Sequence, residues 1–328
     1  MSTGKRGVIS YLRRNLAAGG IYFIYGLLRI LPRSAAIAVC RVMGRAAWQL
    51  DRSGRRVVFN NLDVALGADQ LTASRKTLGK VSYMNLAVNL VDLCRVSRLS
   101  GDKLDSLVIR NLESNTHLDT ISNGNQGSIM LTPHLGNWEL LTAYLANKGL
   151  KVHFVGREPY DQRLRKLYES IRTSRGGMWI SRGGAFNRLL EVLGNGEIAI
   201  MLIDQDTGRV KGTFVDFFGR KAWTPTGPAV LARLTGSVLI PCALIRERDH
   251  SYSLLIEQPV ETVETGHEDY DDWENTRRAS LAMESLVRRY PDQWAWFHRR
   301  WRTRPPVGWV DPVPQEEKHS EGGDGTVS

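Results

Sequence analysis

The sequence predicts an α/β protein: a sheet with helices on both faces, preceded by a basic, helical front end. From about residue 107, short β-branched or apolar runs alternate with helical stretches, the pattern of a sheet flanked by helices. Two of the runs, 197–203 and 237–245, are continuously apolar, as strands buried on both faces are. Residues 34–98 carry apolar side chains at three- and four-residue spacing, Leu86, Leu90 and Leu93 among them, which is the helical period.

The front end is unusual in charge. Residues 1–56 hold eleven Lys or Arg and one acid, Asp51, so the whole formal excess of +10 lies there and the remainder balances. Leu16 to Leu31 reads LAAGGIYFIYGLLRIL, interrupted by Arg29 and closed by Pro32. A membrane span needs roughly twenty apolar residues, and arginines flank this shorter stretch on both sides. That favours a helix lying in the headgroup region, with a short span or burial in the protein's own core as the other readings. Residues 1–50 are therefore expected to be membrane-associating helices, 51–308 an α/β domain and 309–328 a disordered tail rich in Pro, Glu, Gly and Ser.

The expected strands lie at 128–132, 151–155, 197–203, 212–217, 237–245 and 252–257. The expected helices lie at 137–147, 161–174, 184–194 and 225–236, the last opened by the Thr-Pro pair at 224–225. Cys40, Cys94 and Cys242 show no CxxC spacing and their number is odd. Neither a zinc site nor a disulfide framework is expected, and free thiols suit the cytoplasm.

The sharpest local feature is LTPHLGNWELL, residues 131–141. A strand ends at Thr132, His134 sits on the turn, and Asn137 can cap a helix beginning at Trp138. Such turns, at the carboxyl ends of central strands, are where α/β sheets place ligand chemistry. A neutral imidazole can take the proton of an alcohol as it attacks an acyl carbon, and a carboxylate on its far nitrogen fixes the tautomer. Glu139 is the carboxylate nearest in sequence. By spacing alone the pair is common, and a structural histidine is the competing reading.

The stretch resembles the HxxxxE/D signature of the lipid A biosynthesis (lauroyl/myristoyl) acyltransferase family, related to glycerolipid and mycobacterial phosphatidylinositol mannoside acyltransferases. The likeness extends through DQDTG (204–208), GTFVDFFGRKAWTPTGPAVLARLTGSVLIPCALIRE (212–247) and YPDQWAWFHRRWRTRP (290–305), covering roughly residues 55–306. The resemblance implies a mixed sheet of the glycerolipid-acyltransferase type and a catalytic His134 paired with Glu139. It also implies acyl transfer without a cofactor or metal, from acyl carrier protein or acyl-CoA to a hydroxyl of an anionic glycolipid, a lipid A precursor, at the cytoplasmic face of the inner membrane. The rival functions are acylation of another glycolipid or a lysophospholipid, non-catalytic lipid binding at a membrane surface, and metal-assisted lipid hydrolysis.

Around this centre, residues 157–188 hold eight Arg or Lys against three acids. Arg157, just past the expected strand 151–155, and Arg182 are candidate contacts for a lipid phosphate or the oxyanion. Asp204 and Asp206 are candidate substrate-binding residues, by resemblance near the acceptor, with turn capping as the alternative. Arg246, after the strand 237–245, is a candidate phosphate contact or a surface charge. The Trp and Arg residues of 294–304 suit a membrane interface. No nucleic-acid motif appears, and nucleic acid is not an expected partner. GxSxG, GxxxxGK[ST] and strand-borne GxGxxG motifs are also missing, which removes support for serine-hydrolase, nucleotide-triphosphatase and dinucleotide readings.

Overall fold

The computed structural model describes residues 2–67, 72–110, 112–156, 161–181, 183–208 and 210–313. Four helices come first: α1 (Ser2–Ile30), α2 (Arg33–Leu50), α3 (Arg52–Leu66) and α4 (Thr72–Arg95). Pro32, which cannot continue a helix, separates α1 from α2. The Asp51 carboxylate accepts from the Gly54 N–H at 2.7 Å and starts α3.

The α/β part follows. It runs α5 (Gly101–Ser106), β1 (Val108–Arg110), α6 (Leu112–Asn123), β2 (Ser128–Leu131), α7 (Trp138–Asn147), β3 (Val152–Gly156), α8 (Gln162–Arg172), β4 (Met178–Ser181), α9 (Ala185–Gly194) and β5 (Ile198–Met201). Then come β6 (Gly212–Phe217), β7 (Arg220–Pro225), α10 (Gly227–Thr235), β8 (Val238–Arg246), β9 (Tyr252–Ile256) and α11 (Glu268–Arg289). Seven strands form one sheet in the order β1-β9-β8-β2-β5-β3-β4. Every neighbouring pair is parallel except β8–β9, so the sheet is mixed.

Alternation along the central strands sorts the core into two layers. Ile129, Leu131, Ala199, Leu239 and Ala243 face a layer containing Leu193, Leu231, Met283, Trp294 and Trp296. Met130, Ile198, Ile200, Ile240 and Cys242 face Leu104, Leu140, Leu145 and Leu167. A third cluster, Leu28, Ala36, Ile37, Cys40, Val88, Val91 and Cys94, fastens α1 and α2 onto α4.

The structure adds β1, β4, β7, α6 and α11 to the expected elements and departs from the sequence reading elsewhere too. The run 212–217 leaves the central sheet and pairs with β7 in a separate antiparallel hairpin. Because β7 extends to Pro225, α10 begins only at Gly227, with Pro228 in its first turn. The apolar stretch from Leu16 forms the second half of a longer helix, Ser2 to Ile30. One face of α1 holds the buried Ala18 and Leu28, while Leu16, Phe23 and Ile30, seven residues apart, are 76, 70 and 80% exposed. Among the described residues no helix is long and apolar enough to cross a membrane. Most of the expected tail, from residue 314, lies outside the described residues.

Candidate active site

The site forms where β2 and β5 end side by side. Their parallel register aligns Leu131 with Met201. Three further residues along each strand bring His134 against Asp204. The His134 backbone N–H donates to Asp204 Oδ2 at 2.8 Å, and the ring Nδ1–H donates to Oδ1 at 2.7 Å. Trp294 Nε1–H donates to Oδ2 at 2.8 Å. The Asp204 carboxylate is thus buried yet fully engaged. Burial pushes its pKa up, but the His134 imidazole and the three donors outweigh this and hold it below the usual carboxylate range. An ionised carboxylate on Nδ1 keeps the proton there and leaves Nε2 with its lone pair. The His134 side chain is 18% exposed, so this nitrogen belongs to a ring that solvent still reaches.

The turn carrying His134 is clamped from two sides. Leu135 bridges to Trp294, and Ala295 N–H donates to the His134 carbonyl at 3.0 Å. Gly136 N–H donates to the Gln293 carbonyl, and Asn137 N–H to the Leu244 carbonyl at 2.8 Å. Gly136 has φ +58, and a side chain there would overlap the Leu244 carbonyl oxygen. The Asn137 side chain accepts from Leu140 N–H at 3.2 Å, the cap expected from the sequence.

A second histidine completes the centre. The His298 ring lies 5.3 Å from that of His134, and the Trp138 ring stands edge-on at 5.1 Å. Gln205 Nε2 donates to His298 Nε2 at 2.7 Å, and Asn61 donates to the His298 carbonyl at 2.6 Å. Burial pushes the His298 pKa down to about 4, helped by His134 and opposed by Asp204, so the ring is neutral near pH 7.

Several expected site residues sit elsewhere. Glu139, in the first turn of α7, faces Arg172 of α8. Arg172 Nε donates to Glu139 Oε2 at 2.7 Å, and its Nη2 donates to Oε1. The helix directs this side chain to a cation that itself lies against the rings of Phe154, Tyr168 and Trp179. The carboxylate on His134 is therefore Asp204, and the expected His134–Glu139 contact is replaced. Asp206 accepts from Thr303 N–H at 2.6 Å, from its hydroxyl at 2.9 Å and from Arg302 at 3.2 Å, anchoring the closing segment. Arg246 is buried rather than displayed to a phosphate: it donates to the Asn89 side chain and, at 3.1 Å, to the Asn85 carbonyl, tying β8 to α4. Trp294, Trp296 and Trp301 are core residues and not a membrane belt, because they pack over Asp204 and against Phe217 and Phe218. Arg157 and Arg182 lie outside the described residues.

The family model for bacterial lipid A biosynthesis acyltransferase matches residues 8–303. The chain belongs to this family. Among curated proteins of related sequence, it is 32% identical over 119 residues to the lipid A biosynthesis palmitoleoyltransferase of Escherichia coli (strain K12), covering 36% of this chain and 37% of that protein. It is 28% identical over 154 residues to the phosphatidylinositol mannoside acyltransferase of Mycobacterium tuberculosis (strain CDC 1551 / Oshkosh), covering 46% of this chain and 48% of that protein. With the E. coli (strain K12) lipid A biosynthesis myristoyltransferase the match is 22% over 282 residues and takes in 84% of this chain and 83% of the other. The chain thus spans little more than a third of the first relative and about half of the second.

In this member of the lipid A biosynthesis acyltransferase family, the sequence reading singled out the histidine and Asp204, the latter as a substrate contact rather than the partner of His134, and missed the rest of the surroundings. His298, Gln205 and the Trp294 indole were not singled out for the site. The one available signal was the equal step from two strand ends, 131 to 134 and 201 to 204, which becomes meaningful only once the strands are known to pair in register.

Proposed function

We propose that this chain is an O-acyltransferase that moves a fatty acyl group from an acyl thioester, carried by acyl carrier protein or coenzyme A, to a hydroxyl of a lipid A precursor. The observation that carries the reading is the His134–Asp204 pair, with Nδ1 committed to the carboxylate and Nε2 left as a base. Nε2 takes the hydroxyl proton as the oxygen attacks the thioester carbonyl. The tetrahedral oxyanion collapses, the C–S bond breaks, and the thiol departs with the proton held by the imidazolium. Asp204 offsets the charge that develops on the ring. A positioned base contributes roughly two to four orders of magnitude in rate. His298, neutral beside His134, adds no competing charge and can hydrogen-bond the incoming hydroxyl or the oxyanion. Arg157 and Arg182 are further candidates for that contact.

The reaction takes place at the cytoplasmic face of the inner membrane. The support is the apolar stripe Leu16–Phe23–Ile30 on a helix that itself carries arginines at both ends of its apolar stretch, the composition of an interfacial helix. The similarity to a phosphatidylinositol mannoside acyltransferase supports a second reading, in which the acceptor is another glycolipid hydroxyl and the chemistry is unchanged.

The test is transfer from labelled acyl carrier protein or acyl-CoA to lipid A precursors and other glycolipids by purified protein. His134→Ala should lose about a hundredfold or more while still folding. Undiminished transfer by that variant, or free fatty acid as the sole product of the wild type, sinks the proposal.

A further inference from the structure

Away from the His134 centre, a cavity of about 330 Å³ opens between α2 and the turn that joins β8 to β9. Ser34, Ile37, Arg41 and Arg45 line its helical wall at three- and four-residue spacing, and His250 closes the opposite side. Arg41 and Arg45 stand one turn apart with exposed side chains, and among the described residues neither is paired with an acid. Of the carboxylates near the cavity in the chain and the fold, Asp92 is paired with a cation, and Glu247 and Asp249 are bonded to serine hydroxyls. Asp92 holds Arg33 at 2.7 Å, Glu247 accepts from Ser253 at 2.5 Å, and Asp249 accepts from Ser251 at 2.6 Å. His250 has φ +68 and a buried Nδ1 with no partner in the protein. Its pKa is lowered first by burial and then by Arg41, Arg246 and Arg33, with Asp92 opposing. The cavity is lined mostly by the apolar surface of Ile37, Ala38 and Val42, the last 63% exposed, and Arg41 and Arg45 supply its cationic groups.

We propose that this cavity binds the phosphate of an anionic lipid headgroup, with Arg41 and Arg45 as the clamp and Ser34 and His250 as further hydrogen-bonding groups. Guanidinium groups bind phosphate oxygens through short charge-assisted bonds. The volume is at the small end of ligand sites, which suits a headgroup phosphate rather than a whole lipid, and Val42 offers the rim an apolar contact for the start of an acyl chain. The placement fits a lipid surface. β8 runs parallel to β2 with Pro241 opposite Leu131, so its continuation to His250 leaves the sheet by the same edge as His134. The site does not depend on acyl transfer, and its test contains no turnover step, so failure here is separable from failure of the proposed reaction.

The experiment is co-sedimentation of the full chain with phosphatidylcholine vesicles, with and without phosphatidic acid. Arg41→Gln/Arg45→Gln is compared with Lys211→Gln/Arg220→Gln, which removes the same charge at exposed positions of the β6–β7 hairpin. The clamp variant should lose about thirtyfold in affinity for phosphatidic acid vesicles, as expected for two cations acting at an anionic surface. The hairpin variant should stay within about threefold of wild type. Equal losses in both variants would reduce the effect to diffuse charge attraction and overturn the site, as would no loss in the clamp variant. Inorganic phosphate and soluble glycerol phosphate form the second arm. If either binds as tightly as the vesicles and displaces them, the ligand is a free phosphate and the lipid assignment falls.

Discussion

Replacing Asp204 with Asn tests the site most directly. The carboxylate accepts three hydrogen bonds, two at Oδ2 from the His134 and Trp294 N–H groups and one at Oδ1 from His134 Nδ1–H. An amide of the same shape keeps one acceptor. If its oxygen stays with the two donors at the Oδ2 position, its NH2 faces Nδ1, which must then accept. The ring proton moves to Nε2 and the base is lost. In a serine-protease triad, the corresponding exchange inverts the histidine tautomer and costs about four orders of magnitude. Here the loss in kcat should fall between about a hundredfold and ten-thousandfold, equivalent to roughly 3–5 kcal/mol of barrier, with KM for the acceptor little changed. Single-turnover transfer from a labelled thioester to a glycolipid acceptor measures it, alongside a melting curve to establish that the variant folds. The control is Glu139→Gln, which leaves the His134–Asp204 bonds untouched and breaks the pairing with Arg172. It should act mainly on stability, by about 1–3 kcal/mol in a urea melt. If Asp204→Asn keeps transfer within about threefold while Glu139→Gln loses a hundredfold or more, on the scale of a missing catalytic group, the reasoning from geometry is refuted and Glu139 is the operative carboxylate.

Other outcomes follow from the same contacts. Because His298 stays neutral down to about pH 4 against an ordinary value of 6.5, the unfolded chain takes up a proton in that interval that the native chain does not. Stability should fall as the pH drops through it, by up to roughly 3 kcal/mol, and His298→Asn should flatten that part of a stability-against-pH curve measured by urea melts. Gly136→Ala places a side chain against the Leu244 carbonyl at a positive φ; it should cost more than about 2 kcal/mol and reduce transfer even where the protein still folds. Replacing Leu16, Phe23 and Ile30 together with Ser should abolish sedimentation with neutral phosphatidylcholine vesicles while shifting the melting temperature little, since all three are largely exposed.

The sequence by itself determined the local parts. The turn at His134, the Asn137 cap, the apolar central strands at 198–201 and 238–246 and the helices beside them follow from neighbours within a few residues, where the period and the capping chemistry are already written. The mixed sheet and the family followed from the resemblance of longer motifs. Only the tertiary structure decided which acid serves His134. Glu139 is five positions away in sequence, but the first turn of α7 aims it at Arg172. Asp204 is seventy positions away, but parallel pairing of β2 with β5 sets the two strand ends level. Strand register is a long-range choice made by core packing, and nothing in the local sequence reports it. Long-range packing also decided the fate of the closing segment. Trp294, Trp296 and Arg300 look like a charged aromatic surface when read along the chain. They become interior because α11 returns them over the sheet, where Asp204 needs an indole N–H and the Trp223 carbonyl and Thr224 hydroxyl need a guanidinium.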